Sequence, residues 1–438
     1  MMEKLKQYWL PSLLGIAVLI SLIMTVSLLT NPARYSSNNN ESQSSSFRKE
    51  TNSYDLGDVY SPTQLIEAKD KDQYLVTSSS TNVVGEVFKE MQKFQYSHVK
   101  KISENNKDEY YRIANQSDML MLNYNNPISS NILAKIFNYD GFNDKGSIKR
   151  ILLSTNKDKY VYLLNDDHYM VYRAEVSDLN LKKIKSITDD QVTRNRVELK
   201  TINGNPFIYF PGQIKMKDYG YMLREENEGT YLNRIIGSTS NASIKHHTDK
   251  VIYSSQNKDL TFDNNGDVIY TNYRPTQKIK SEAMALNSAY QNAIELGFPL
   301  DSTKFDTYNK DEKTVSFRQY IEGFPVYSNE QLGVYTYKFL NGNTERYSFS
   351  LREFLVPVPT DKQATTLPSS KTLLSDLEKS KVDMKQISGM RLGYQLVPDS
   401  ENKLIVTMQP TWFVKYNDQW LNYKYLDTQV REGDSDEL

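Results

Sequence analysis

A long uncharged segment near the N-terminus constrains this chain more than any other feature of its sequence. Residues from Trp9 through Leu29 include no charged side chain and are mostly Leu, Ile, Val, Met and Ala. An α-helix rises about 1.5 Å per residue, so a segment of this length can cross a hydrocarbon core about 30 Å thick. The sequence therefore predicts a transmembrane helix over residues 9–29.

The charges beside this segment predict its orientation. Lys4 and Lys6 precede it, whereas Arg34 is the nearest cation on the other side. Because basic residues concentrate on the cytoplasmic side of a span, residues 1–8 are expected in the cytoplasm. The chain would then be a single-pass protein of the cell membrane with its bulk outside the cytoplasm. A cleaved signal peptide is the alternative, although its apolar region is usually only about 7–15 residues long.

The composition of the whole chain excludes several classes of partner and of chemistry. There are 53 Lys and Arg residues against 54 Asp and Glu, which gives a net charge of -1. This balance provides no basic field for nucleic acid, so no nucleic acid partner is expected. There is no cysteine, which excludes disulfides, thiolate catalysis and sulfur-ligated zinc. The extracytoplasmic part must be stabilised by burial of its core alone.

The order of helical and strand-like segments predicts an α+β fold: a single N-terminal transmembrane helix followed by several extracytoplasmic domains of antiparallel sheets with a few packed helices. A stretch rich in Asn, Ser and Gln follows the span, and its composition is typical of a flexible linker. The predicted segments are a cytoplasmic N-terminus (1–8), the anchor (9–29), the linker (30–53), an α+β first ectodomain (54–190), a β-rich middle domain (191–278), an α+β C-terminal domain (279–430) and an acidic tail (431–438).

Four soluble helices are predicted from apolar residues that recur at helical spacing. They lie near residues 83–95, after Ser129 or Ser130, from Ser281 to a Gly297 stop, and around Ser370 to Lys379. Runs of Tyr, Val, Leu and Ile between them predict strands. Three Asn-Gly pairs, at 203–204, 265–266 and 341–342, favour tight hairpin turns, because both residues of a type I′ turn need a positive φ angle.

The sequence contains no recognised catalytic or metal-binding pattern. His246, His247 and Asp249 are near one another in sequence, but adjacent strand residues point to opposite faces and no further ligand follows at a recognisable spacing. No Gly-rich phosphate loop, nucleophile elbow or HExxH sequence occurs. We therefore expect no enzyme activity, no cofactor, no metal and no catalytic residue.

Six short stretches in a fixed order, behind a single N-terminal anchor, resemble the YycH family. They are Asp58 to Pro62, Tyr169 to Tyr172, Phe210 to Met216, Tyr320 to Tyr327, Gly393-Tyr394 and Pro410 to Trp412. The family consists of membrane-anchored accessory regulators of the YycFG (WalRK) two-component system, which controls cell-wall homeostasis in Gram-positive bacteria. The resemblance implies a three-domain ectodomain whose last two domains are similar to the companion protein YycI. It also implies a non-enzymatic role in adjusting the sensor histidine kinase, of WalK/YycG type, with YycI as a second membrane-anchored partner.

Two sets of residues are candidates for contacts with such partners. Ala17, Ser21 and Thr25 recur every four residues in the predicted span, and small residues on one stripe let another helix approach closely. In the ectodomain, the segment from Tyr320 to Tyr327 contains Gly323 and Pro325. Since proline cannot donate to a central sheet, this segment is expected to form an exposed edge for a partner strand.

Two other classes of function stay open at this point. One is a wall-modifying enzyme whose site matches no recognised motif, and the other is a binding module. The ectodomain could be a binding module or sensor for a peptide or a cell-wall polymer, with Trp412 or Trp420 as an aromatic platform. Burial of both tryptophans in a sheet is the favoured interpretation.

Overall fold

Strands are the predominant secondary structure of the chain. The structure is a computed structural model that describes residues 54–156, 159–237, 242–274, 279–300, 302–340, 344–360, 364–380, 382–400, 402 and 404–426. No helix within these ranges is long and apolar enough to span a membrane. The predicted anchor, the linker and the acidic tail all lie outside the described residues, and so does the pair Asn341-Gly342.

The described α-helices include the eight whose bounds follow, and the four predicted ones are among them. Their bounds are α1 (Leu56–Val59), α2 (Val83–Met91), α3 (Lys107–Ala114), α4 (Ser130–Ile136), α5 (Leu181–Asp189), α6 (Glu228–Ile235), α7 (Glu282–Glu295) and α8 (Ser370–Lys379).

The N-terminal half, which we define as residues 54–209, is built on a nine-stranded sheet with the order β3-β7-β6-β5-β4-β1-β2-β8-β9. Each neighbouring pair is antiparallel. The strands are β1 (Gln64–Lys69), β2 (Asp72–Thr77), β3 (Gln95–Ser103), β4 (Met119–Ser129), β5 (Ser147–Ser154), β6 (Tyr160–Asn165), β7 (Met170–Ser177), β8 (Thr193–Ile202) and β9 (Asn205–Tyr209).

The C-terminal half, residues 210–426, contains a larger sheet with the path β12-β13-β14-β15-β20-β19-β17-β18-β23-β24-β11-β21, to which β16 and β25 add as partners of β17 and β24. Strands β10 and β22 form a separate pair. The bounds are β10 (Ile214–Lys217), β11 (Tyr219–Glu225), β12 (Ser243–His246), β13 (Lys250–Ser255), β14 (Lys258–Asp263), β15 (Asp267–Asn272), β16 (Thr303–Asn309), β17 (Thr314–Ile321), β18 (Phe324–Tyr327), β19 (Val334–Leu340), β20 (Thr344–Ser350), β21 (Arg352–Val358), β22 (Ala364–Leu367), β23 (Ile387–Pro398), β24 (Ile405–Tyr416) and β25 (Gln419–Asn422).

Both faces of the first sheet are buried, and both are continuous with the C-terminal half. Side chains alternate across a strand, so Leu65 and Leu122 join one apolar cluster while Ile66 and Met121 join the other. The first cluster continues into α7 and the strands that it covers, and the second continues into β23, β24 and α8. Apart from residues 79–82, the described residues belong to one compact unit.

Local sequence signals predict the helix ends well where a side chain supplies the cap. The Ser281 hydroxyl accepts from the Met284 N–H, and Ser369 caps α8 in the same way through Thr372. Gly297, just beyond α7, has a φ of 72°. The charged stretch after Asn180 also forms a helix, α5, in which the Asn180 side chain accepts from the Lys183 N–H and Ile184 is buried.

The described Asn-Gly pairs both make hairpins, but of two kinds. Asn203 and Gly204 have φ angles of 46° and 85° and join β8 to β9 as a two-residue turn, as predicted. At the second pair only Gly266 has a positive φ, of 83°, and its N–H donates to the Asp263 carbonyl. This is the geometry of a three-residue loop that ends in a bulged glycine.

Two turn glycines differ in how close another part of the backbone lies to them. Gly204 and Gly323 have similar φ angles of 85° and 82°, but a Cβ at Gly204 would meet open space, whereas one at Gly323 would lie 2.1 Å from the Thr63 carbonyl oxygen. Gly204→Ala should cost roughly 1–2 kcal/mol through backbone strain alone. Gly323→Ala should lower the free energy of unfolding by more, because its Cβ would also clash with the Thr63 carbonyl oxygen. Both free energies are measured by unfolding in urea. Equal losses in the two variants would contradict the close contact.

Candidate functional site

The two predicted contact regions have different outcomes. Ala17, Ser21 and Thr25 lie outside the described residues, so their role in helix packing stays a prediction. The segment from Tyr320 to Tyr327 is described in full, and the exposed edge expected there is wrong. Strand β18 lies between β17 and β23, and all four of its residues are buried.

Pro325 is accommodated in the middle of the sheet because β18 is so short. It pairs with β17 through Phe324 and Pro325, and with β23, in parallel, through Val326 and Tyr327. The missing proline N–H therefore interrupts no long ladder. Glu322 and Gly323, with φ angles of 50° and 82°, form the tight turn that reverses the chain before it.

The buried segment leads to a set of polar side chains that we call the junction cluster. It consists of Asp306 on β16, Arg318 and Tyr320 on β17, Tyr327 on β18 and Arg391 on β23. All five residues come from the C-terminal half. Asp306, Tyr320, Tyr327 and Arg391 are 3%, 5%, 8% and 7% exposed, so the cluster lies within the fold.

A β-bulge places the cluster's carboxylate inside. The register between β16 and β17 shifts between Phe305 and Thr307, which makes Asp306 the extra residue of β16. The extra residue interrupts the regular alternation of side chains along β16, and Phe305 and Asp306 are both buried. Bulges redirect a side chain in this way.

Asp306 accepts hydrogen bonds from three neighbours. Arg318 donates from Nε at 2.7 Å, the Tyr320 hydroxyl at 3.3 Å and Arg391 from Nη2 at 3.4 Å. Burial alone would raise the pKa of the Asp306 carboxyl, but Arg318 and Arg391 outweigh burial and hold that pKa below its usual range. The carboxylate is therefore ionised near neutral pH.

Aromatic rings cover the two guanidinium groups. The Arg318 guanidinium carbon lies 4.4 Å from the Tyr327 ring centre, and that of Arg391 lies 3.9 Å from the Trp420 ring centre. Arg391 also donates from Nη2 to the Tyr327 hydroxyl. Such cation–π contacts stabilise a charge that has lost its water.

Side chains of the N-terminal half close the cluster from the other side. Asn125 donates to the Tyr320 hydroxyl at 2.8 Å, and Asn126 donates to the Asp306 main-chain carbonyl. The Lys149 ammonium donates to the Asn125 carbonyl. Polar groups from β4 and β5 thus contact polar groups from β16 and β17, and the cluster joins the two halves of the chain.

An aromatic contact between the halves lies close to the cluster. The Tyr60 ring centre is 5.5 Å from that of Phe305 and 5.9 Å from that of Phe317, and the Tyr60 hydroxyl donates to the Leu286 carbonyl at 2.7 Å. Phe305 and Phe317 neighbour Asp306 and Arg318 in sequence, so apolar and polar contacts fix the same strands.

The two tryptophans considered as candidates pack within the structure, and the histidines considered form no metal site among the described residues. Trp412 is fully buried and its Nε1 donates to the Pro368 carbonyl at 2.9 Å, so it belongs to the core as expected. Trp420 is half-buried over Arg391. Among the described residues, no group of three His, Asp or Glu side chains is arranged to hold a metal ion. His246 lies on the short strand β12 without such a group.

Sequence reasoning missed the charged members of the junction cluster. Asp306 is separated from Arg391 by 85 residues, and no local spacing relates the two. An arginine within a strand of mainly apolar or aromatic residues, as at Arg318 and Arg391, could have indicated a buried charge. A buried charge in a strand requires a partner elsewhere in the chain.

The titration of Lys149, which contacts the junction cluster through Asn125, should make the stability of the protein depend on pH. Burial lowers the pKa of its ammonium group to about 7; Asp166 acts in the opposite direction, and Arg150, Arg391 and Lys415 lower the pKa further. Between that value and the ordinary pKa of 10.5, the unfolded chain binds a proton that the folded chain does not. Stability should therefore rise with pH across this window.

The variant Lys149→Met should flatten this rise. It removes the buried ammonium, so the variant gains most relative to the wild type near pH 6 and least near pH 10, measured by urea unfolding at a series of pH values. Lys100→Met is the control, because Lys100 is an exposed lysine. Parallel pH profiles for the wild type and Lys149→Met would contradict the assignment.

Comparison with known proteins identifies the family. The family model described as "YycH protein, N-terminal domain" matches residues 11–193, and "YycH protein, C-terminal domain" matches residues 230–429. No curated protein sequence matches the chain.

Two solved structures were compared with the fold. The crystal structure of YycH from Bacillus subtilis aligns over 84% of this chain and 97% of its own, with a TM-score of 0.67 and 15% sequence identity. An uncharacterized protein from Eubacterium rectale ATCC 33656 aligns over 46% of this chain and 77% of its own, with a TM-score of 0.32 and 13% identity, and supports no argument. The resemblance drawn from the six short stretches is confirmed: the chain belongs to the YycH family.

Proposed function

We propose that this chain is a membrane-anchored, non-enzymatic regulator that modulates the sensor histidine kinase of a cell-wall two-component system. The observation that carries the proposal is the match of the two YycH family models, which together extend from residue 11 to residue 429 with one gap. Membership of this family indicates a regulatory accessory protein. The kinase, of WalK/YycG type, and the companion YycI are the proposed partners, and the last two predicted domains, 191–278 and 279–430, are proposed to be similar to YycI.

The sequence supports an anchor at residues 9–29 with the bulk of the chain outside the cytoplasm. The match of the N-terminal family model begins at residue 11, within the predicted span. A kinase with membrane helices changes state by shifting between packings, so a neighbouring helix that prefers one packing shifts the equilibrium by its difference in affinity. The stripe Ala17, Ser21 and Thr25 is the proposed contact surface of this anchor.

The ectodomain supports a second, mechanical part of the proposal. Its two halves share apolar clusters and the junction cluster, so a ligand or partner that displaces one half must also break contacts of the other. Packed cores respond to such displacements as a unit because they are close to crystalline in density. We propose that this coupling carries an extracytoplasmic event to the anchor.

The proposal is tested by the triple variant Ala17→Leu, Ser21→Leu and Thr25→Leu in cells. The anchor remains apolar, but the added bulk blocks close approach and both hydroxyls are removed. The variant should insert normally, lose co-purification of the histidine kinase in mild detergent, and change expression of the genes that the kinase controls.

The matched control is the triple variant Leu13→Ile, Val18→Ile and Leu22→Ile, which should behave as the wild type. Normal co-purification and unaltered gene expression with the Leu variant would exclude the stripe. If the wild type captures no kinase and instead sediments with isolated cell walls, the alternative of a binding module for a wall polymer would replace the regulatory proposal.

A further inference from the structure

The junction cluster carries more positive than negative charge. Arg318 and Arg391 contribute two guanidinium groups, and Asp306 is the carboxylate that both contact. Lys149, whose pKa burial lowers to about 7, adds a third cation below that pH, and its ammonium is directed to the Asn125 carbonyl, which bears no formal charge. Burial of excess charge is unfavourable unless a counter-ion compensates it.

Arg391 also has hydrogen-bond donors in excess. Its Nη2 contacts Asp306 and Tyr327, but Nε and Nη1 are buried and no described residue offers them an acceptor. These two nitrogens bear three N–H bonds. Arg150 differs from Arg391 in its charge balance. Its Nε is also buried without a described acceptor, but Asp166 forms an ion pair with its guanidinium group.

We propose that the junction cluster binds a small oxyanion, a carboxylate or a phosphate, at the Nε and Nη1 groups of Arg391, with Lys149 adding to the positive charge around it. An oxyanion offers several acceptors and a negative charge, which are the two quantities that the cluster lacks. A cation would be repelled, and an apolar ligand would leave the donors unsatisfied. The inference does not depend on the proposed regulatory function.

Because Trp420 covers the Arg391 guanidinium, an anion would reach Arg391 by displacing Trp420 and its strand. Trp420 lies over the Arg391 guanidinium, on the four-residue strand β25, which continues from β24 through the turn at Asn417 and Asp418. The ring passes beside Gly389, where a Cβ would lie 3.3 Å from its Cη2 atom. A short outer hairpin of this kind opens at low cost compared with the core of the sheet.

The test uses the full-length chain in detergent micelles at pH 6, with inorganic phosphate, acetate or dimethyl phosphate added and sodium chloride matched for ionic strength. The readouts are the thermal unfolding midpoint and tryptophan fluorescence. Phosphate or acetate should raise the midpoint with a saturable dependence that chloride does not reproduce. Dimethyl phosphate separates the two sources of phosphate, because it resembles the diester of a wall polymer rather than a free phosphate ion.

Variants locate the effect. Arg391→Gln should abolish the response, and Lys149→Gln, which keeps all members of the Asp306 network, should raise the dissociation constant about tenfold or more. Trp420→Phe should keep the shift in midpoint but remove the change in fluorescence. Arg352→Gln is the matched control, because Arg352 also has a buried Nε without a partner but is balanced by Glu330.

Two results would overturn the proposal. One is a wild-type response that is no larger than that to chloride. The other is an equal anion affinity in the wild type and Lys149→Gln, which decides the matter even if Arg391→Gln fails to fold.

Discussion

The carboxylate of Asp306 determines whether the centre of this structure can exist at all. It contacts the guanidinium groups of Arg318 and Arg391, and without it these two cations, which both pack against the Tyr327 ring, would have no carboxylate between them. Removal of one member of a buried ion pair typically costs about 3–5 kcal/mol, because the remaining charge is left uncompensated. The bulge that turns Asp306 inward is therefore as important as the residue itself.

Apolar burial and this charged network have different roles in joining the two halves. The apolar clusters supply most of the area removed from water, but that attraction is non-directional. The hydrogen bonds from Asn125 and Asn126 to Tyr320 and Asp306 have a fixed geometry and permit one arrangement of β4 against β16 and β17. In the proposed regulation by contact, a single relative arrangement of the two halves would allow a displacement at one site to alter another.

Sequence reasoning succeeded where the cause of a structure is local. Ser281, Gly297 and the pair Asn203-Gly204 fix a helix start, a helix end and a turn within a few residues, and all three are found as predicted. It failed at Pro325, because whether a proline-bearing strand is central depends on how many residues it pairs, and β18 pairs two on each side. It also could not find the junction cluster, whose members are related only by the folded topology.

Hydrogen exchange of the full-length Asp306→Asn variant, measured by mass spectrometry, tests most directly whether the junction cluster holds the two halves together. The amide keeps the shape of the carboxylate and removes its charge. If Asp306 holds the halves together, protection should fall in β4 and β5 of the N-terminal half as well as in β16, β17 and β23. Loss of protection confined to β16, β17 and β23, with β4 and β5 unchanged, would contradict the account.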